Sequence, residues 1–166
     1  MNKIKILSDE IINQIAAGEV LDRPSSAVKE LVENSIDANS KKISVFVRDG
    51  GKTEIIVTDD GDGISKQELE LAVTRHATSK LNEKKIDTLS FLGFRGEALP
   101  SIGSVSEMSI KSNINEDQNG MMIEIIAGIK KKIRPVNHRK GTTVLVKKLF
   151  FSTPARLKFL KTENYE

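Results

Sequence analysis

Apolar side chains recur along this chain with two periods. Ala27, Val28, Leu31, Val32 and Ile36, with Ser35, are spaced as one face of an α-helix. Arg23-Pro24-Ser25 precedes them, and proline suits a first helical turn. Glu30, Asn34 and Asp37 fall at i, i+4 and i+7 on another face. A shorter stripe, Ile11, Ile12, Ile15 and Ala16, predicts a helix over 9–19 that ends near Gly18. The period then changes to two. Ile43, Val45 and Val47 predict a strand, Gly50-Gly51 a hairpin turn, and residues 54–58 the return strand. Ile55-Ile56-Val57 implies partial cover on both faces of that strand.

Ser65-Lys66-Gln67-Glu68 is a capping box that opens a helix through Leu69, Leu71, Ala72 and Val73. Residues 75–97 are irregular, with glycines at 93 and 96, and suit either a lid or a plain connection. A helix is expected from Glu97 to Ile102. Strands are expected over 107–111, 121–127, 131–136 and 143–148, with turns at 115–117, 128 and 137–141. Thr153-Pro154 opens a last short helix. Helices early and strands late imply an α+β fold, a two-layer sandwich of helices on a mixed, mostly antiparallel sheet.

Composition narrows the classes. A length of 166 residues suits one domain with a real core. No apolar run approaches the ~18 residues of a membrane span. The start of the chain, Met1 to Ile4, leads directly into patterned sequence without the apolar stretch of a signal peptide. The absence of cysteine excludes disulfides and thiol nucleophiles, and His76 and His138 are too few for a histidine-based metal cluster. The net charge of +3 hides an asymmetry: residues 130–161 hold eleven of the 26 Lys and Arg side chains and no acid. That surplus suits a polyanion such as nucleic acid, or simply a solvated basic face.

Two familiar ligand motifs fail. Gly51-Lys52-Thr53 resembles the end of a phosphate loop, but Phe46 stands where its first glycine is required. Residues 59–65 resemble a calcium loop, but a start at Asp60 puts Ser65 at the glycine position, and a start at Asp59 puts Gly61 at the third ligand. Other chemistry remains open. A helical Glu can take a proton from a water that attacks a phosphate. An amide one turn later can offer its oxygen to Mg²⁺, which takes few protein ligands. A carboxylate at a strand end can accept from the amine of adenine, and neighbouring glycines let a flat base approach the backbone. A glycine-rich segment entering a helix can direct N–H groups at phosphates. Each element alone is usually surface.

Four such elements occur in order: Glu30-Leu31-Val32-Glu33-Asn34, Asp59-Asp60-Gly61-Asp62-Gly63, Leu92-Gly93-Phe94-Arg95-Gly96-Glu97-Ala98-Leu99 and Gly141-Thr142-Thr143. They resemble the ATP-binding motifs of the GHKL superfamily of gyrase-type topoisomerases, Hsp90, sensor histidine kinases and MutL proteins. Ile15-Ala16-Ala17-Gly18-Glu19-Val20, Arg23-Pro24, Arg75-His76-Ala77-Thr78-Ser79-Lys80, Gly93 to Leu99 and Thr153 to Leu160 are similar to signature blocks of the MutL family, the DNA mismatch-repair ATPases. The likeness runs over essentially the whole chain.

The resemblance implies roles. Glu30 is the expected general base and Asn34 the Mg²⁺ ligand. Asp59 is the expected reader of the adenine amine, with Ala38 and Gly63 lining the base pocket and Thr143 supporting it through hydrogen bonds. Thr78, Ser79 and Lys80, with Gly93, Arg95, Gly96, Ala98 and Leu99, are the expected lid and phosphate surface. ATP and Mg²⁺ are the implied cofactors. A MutS-like mismatch sensor, a downstream nuclease or helicase, the DNA backbone and a second copy of the chain on ATP binding are the implied partners. The implied setting is cytoplasmic, at the bacterial nucleoid during repair and without a membrane.

Two departures stand out. The second motif carries Asp60 where the family commonly has Asn, and Asp62 makes that rim still more acidic. Family members also run to several hundred residues. Residues 1–166 are therefore expected to be the ATP-binding subdomain alone, without the later part that supplies a lysine to the γ-phosphate or the C-terminal dimerisation domain. Such a piece is expected to bind ATP and turn it over very slowly, which leaves a pure binding module as one alternative. The other is a histidine-kinase domain, which usually lacks the block at 93–99.

Overall fold

Pro24 occupies the first turn of the longest helix among the described residues, where its missing N–H costs nothing, and Arg23 forms the extended N-cap. This helix, α1 (Pro24–Asp37), buries Pro24, Ala27, Leu31 and Ser35 along one stripe. Burial of Leu31 alone stabilises its seat by about 1.5–3 kcal/mol. The expected inward stripe differs at its end. Val28 and Val32 pack on the flank of the core, whereas Ile36 is 49% exposed. A residue one step around the helix from the buried line has little beneath it in the last turn.

The structure, a computed structural model, describes residues 11, 12, 15, 17, 18, 21–75 and 96–160, with only the backbone of Phe159. Residues 11, 12, 15, 17 and 18 are helical; the rest of the helix expected over 9–19 lies outside the described residues. The chain continues through β1 (Ile43–Arg48), a 3-10 turn (Asp49–Gly51), β2 (Glu54–Asp59), α2 (Lys66–Ala72) and α3 (Ala98–Ser104). Then come β3 (Glu107–Asn113), β4 (Gly120–Ile126), β5 (Ile129–Lys130), β6 (Arg134–Val136), β7 (Gly141–Lys147) and α4 (Pro154–Phe159). The capping box at α2 is complete: Ser65 accepts from the Glu68 N–H, and Glu68 reaches back to the Ser65 N–H.

The seven strands of the described residues form one sheet in the order β1-β2-β7-β3-β4-β5, with β6 also on β4. Every pairing among the described residues is antiparallel. Of the strand expected over 131–136 only β6 (134–136) forms, and the short β5 (129–130) precedes it. β5 pairs Ile125 with Lys130, whereas β6 pairs Met122 with Arg134, so the returning chain gains one residue on β4 between them. That is a β-bulge, and it breaks the ladder.

One sheet face carries Ile55, Val57, Met108, Ile110, Val144 and Val146, which with Leu31, Leu69, Ile102 and Phe150 make the core. α1 packs over β1 and β2, and α2 and α3 pack over β4. β7 runs between β2 and β3, pairing Asp59 with Thr142 and Ser112 with Thr142. Three strand ends therefore meet beside the last turn of α1. Among the described residues no helix is long and apolar enough to cross a membrane.

Candidate functional site

Asp59 is the last residue of β2, points to the helix face, and is 9% exposed. Its Oδ2 accepts the Ser35 hydroxyl of α1 at 2.8 Å. Its Oδ1 accepts the Gly61 N–H at 2.9 Å and the Thr142 N–H of β7 at 3.2 Å. An ionised carboxylate offers about four lone-pair sites. Three are filled by the chain, and the open one is on Oδ2. A buried acceptor with one vacant site suits an incoming N–H donor.

The turn after β2 is built for close approach. Gly63 adopts a φ of +76°, and a Cβ there would lie 2.2 Å from the Asn113 carbonyl oxygen. Gly141 adopts +116°, and its Cβ would lie 2.1 Å from the Asp59 carbonyl oxygen. Side chains at either place would force the strand ends apart. Ala38, the C-cap of α1, accepts the Asp62 N–H at 2.9 Å and so faces this turn.

The two extra acids have structural work. Asp60 Oδ1 accepts the Lys41 and Lys42 N–H groups, each at 2.8 Å. The Lys42 bond, more than the opposing burial effect, holds the Asp60 carboxyl below its ordinary range. Asp62 accepts from Asn39 Nδ2 at 2.7 Å. Both tie the turn to the α1–β1 loop.

Glu30 and Asn34 lie one turn apart on the flank of α1, beside the buried stripe and partly exposed. Lys29 pairs with Glu33 at 3.2 Å, not with Glu30. The Glu30 carboxylate has no hydrogen-bond or ion partner among the described residues, as suits a group that must take a proton from water. No group of three or more His, Cys, Asp or Glu side chains that could hold a metal occurs among the described residues. A cation here would rest on one amide oxygen, water and phosphate, which is the habit of Mg²⁺.

Gly96, Ala98 and Leu99 lie at the start of α3, which packs against α1. Glu97 is the N-cap and pairs with Arg75 at 3.8 Å. Thr78, Ser79, Lys80, Gly93 and Arg95 lie outside the described residues. Thr143 requires a correction. Its Oγ1 meets Thr58 Oγ1 at 3.1 Å and His138 Nε2 at 2.9 Å, on the sheet face away from Asp59. Successive strand residues point to opposite faces, so the threonine beside Asp59 is Thr142. Sequence reasoning also passed over Ser35 and Ser112. The signal for Ser35 was present: a polar residue within an apolar stripe is usually there to meet a partner.

The basic surplus is partly engaged. Lys147 pairs with Glu54, Lys148 with Glu107 and Arg134 with Glu124. Arg156 Nη1 donates to the Leu21 carbonyl at 2.6 Å. Lys66, Lys130, Lys131 and Lys132 line one cleft together with Glu70, Ile123 and Ile133, and Lys130 Nζ there donates to Thr74 Oγ1 at 2.7 Å.

Residues 22–143 match the family of histidine kinase-, DNA gyrase B-, and HSP90-like ATPases. The DNA mismatch repair protein MutL of Rickettsia bellii is 52% identical over 163 residues, which are 98% of this chain and 27% of that protein. MutL of Sinorhizobium fredii is 53% identical over the same share of each. The chain thus spans about a quarter of the length of these curated relatives. Among solved structures, the Aquifex aeolicus MutL ATPase domain complexed with ADP is 36% identical with a TM-score of 0.71, covering 88% of this chain and 50% of that one. The N-terminal domain of a DNA repair protein is 35% identical with a TM-score of 0.74, covering 89% and 42%.

Proposed function

The chain belongs to the histidine kinase-, DNA gyrase B- and HSP90-like ATPase family, in its MutL branch, and from that premise we propose that it binds Mg-ATP and that the longer protein hydrolyses it in DNA mismatch repair. The observation that carries this reading is the Asp59 carboxylate, buried, triply held and open at one lone pair of Oδ2. That vacancy receives the exocyclic amine of adenine. Ala38, Gly63 and Thr142 shape the pocket around the base. Thr142 replaces Thr143 in this role because it shares the Asp59 face.

Asn34 would hold Mg²⁺ and Glu30 would take the proton of the attacking water, both from the exposed flank of α1. Mg²⁺, when bound, neutralises charge on the phosphates. The segment entering α3 at Gly96, Ala98 and Leu99, with Thr78, Ser79, Lys80, Gly93 and Arg95, covers the phosphates. Residues 1–166 are the nucleotide-binding unit of that protein. ATP-driven pairing of two copies then signals from a MutS-like mismatch sensor to a downstream nuclease or helicase. The lysine cleft at 66 and 130–132 is where this unit meets the DNA backbone, by contacts that are sequence-independent and salt-sensitive. A nucleotide-bound structure tests the site directly. Adenine on Asp59 and Mg²⁺ on Asn34 are the expected contacts; a base bound elsewhere overturns the reading.

A further inference from the structure

Ser112 is 1% exposed near the end of β3 and faces Thr142 across the ladder. Three contacts converge on its Oγ. The Ile64 N–H, just past Gly63, donates to it at 2.8 Å. The Gly141 carbonyl oxygen lies 3.1 Å away, and Thr142 Oγ1 lies 2.8 Å away. A serine hydroxyl has one O–H and two lone pairs. The amide can only donate and the carbonyl can only accept. One assignment satisfies all three contacts: the Ser112 O–H goes to Gly141, and its lone pairs take the Ile64 N–H and the Thr142 O–H. Thr142 then has no proton left to donate, and its oxygen turns only lone pairs to anything else it meets.

This bears on the base pocket, because the Thr142 N–H is bonded to Asp59 and the two side chains share a sheet face. Asp59 is itself purely an acceptor. We infer that Ser112 is a positioning residue that fixes the Thr142 hydroxyl as an acceptor and thereby makes the base subsite select a purine edge bearing an amine over one bearing an oxygen. The inference rests on the adenine reading above and extends it to a specificity device. Adenine presents an amine where hypoxanthine presents a carbonyl. The amine finds acceptors, whereas the carbonyl meets lone pairs on both side chains. Without the Ser112 hydroxyl the Thr142 O–H is free to rotate and donate to the oxygen.

The test is equilibrium binding of Mg-ATP and Mg-ITP to the 1–166 chain and its variants, with thermal unfolding on the same samples. Wild type is expected to prefer ATP. Ser112→Ala is expected to lower the ATP-to-ITP affinity ratio about tenfold, and Ser112→Thr, which restores a hydroxyl, to return it. A purely structural role would weaken both nucleotides in proportion, and an unchanged ratio overturns the inference. If Ser112→Ala does not fold, Thr142→Val reads the same quantity by deleting the hydroxyl itself. Its ratio is expected to fall, and an undiminished ratio is again contrary. A wild type that binds neither nucleotide overturns the ATP reading as well; one that binds both equally overturns only the role of Ser112.

Discussion

Replacing Asp59 with Asn changes one atom and isolates the proposed chemistry. The amide has two orientations. With Nδ2 in the place of Oδ1, its N–H groups face the Gly61 and Thr142 N–H donors, which lie 2.9 and 3.2 Å from that position. The other orientation leaves Oδ1 on both amides and sets Nδ2 against Ser35. That serine can accept, because its own O–H also lies 3.2 Å from the Leu31 carbonyl oxygen. The fold therefore tolerates Asp59→Asn, with its amide nitrogen where the open lone pair was. An adenine amine then meets a donor. The lost charged acceptor costs about 1.5–3 kcal/mol, and an unpaired buried donor adds about 1–3 kcal/mol. A total of roughly 3 kcal/mol is a loss of roughly 100-fold or more in affinity. Calorimetric titration with Mg-ADP or Mg-ATP reads this, with thermal unfolding in parallel. Equal affinity in a folded Asp59→Asn protein would refute the reasoning.

Glu30→Ala in the full-length protein should retain ATP affinity while hydrolysis falls by about 10²–10⁴-fold, and unchanged turnover would remove Glu30 from the chemistry. Gly63→Ala should destabilise the fold by more than about 2 kcal/mol in chemical denaturation, because its φ is +76° and its Cβ would strike the Asn113 carbonyl. A smaller loss would mean that the turn moves freely. Asp60 has a lowered folded pKa, so its carboxylate adds stability above the ordinary carboxylate range and loses it as pH falls through the folded value. The stability gap between wild type and Asp60→Asn should therefore close under acid conditions. A gap constant from neutral to acid pH counts against the Lys41 and Lys42 contacts as its source.

The parts of the fold legible in the sequence were those fixed by local rules. Pro24 opens α1, the Ser65 capping box opens α2, and Gly50-Gly51 turns the first hairpin, each through a short-range preference. The placement of Asp59 at a strand end was legible for the same reason. Which neighbouring threonine faces it was not. The motif supplies two in succession, and only the register of β7 on β2 decides between them. The bulge that splits β5 from β6 likewise depends on how the returning chain meets β4. Ser35 and Ser112 carry no motif of their own. They became visible once α1, β2, β3 and β7 were assembled around one carboxylate.

The insertion of β7 between β2 and β3 has a consequence for the newborn chain. Asp59 and the Thr142 amide that steadies it are 83 residues apart. At about 5–20 residues per second, a ribosome takes about 4–17 s to make that stretch. Throughout that interval β2 lacks the neighbour that will join it to β3, and each of the two, once made, keeps an open edge able to pair wrongly until β7 follows. Nucleotide can give the emerging polypeptide no help during this exposure, because the proposed binding place is incomplete until β7 is made. On the proposed reading, the chain can capture ATP only after β7 has joined β2 to β3.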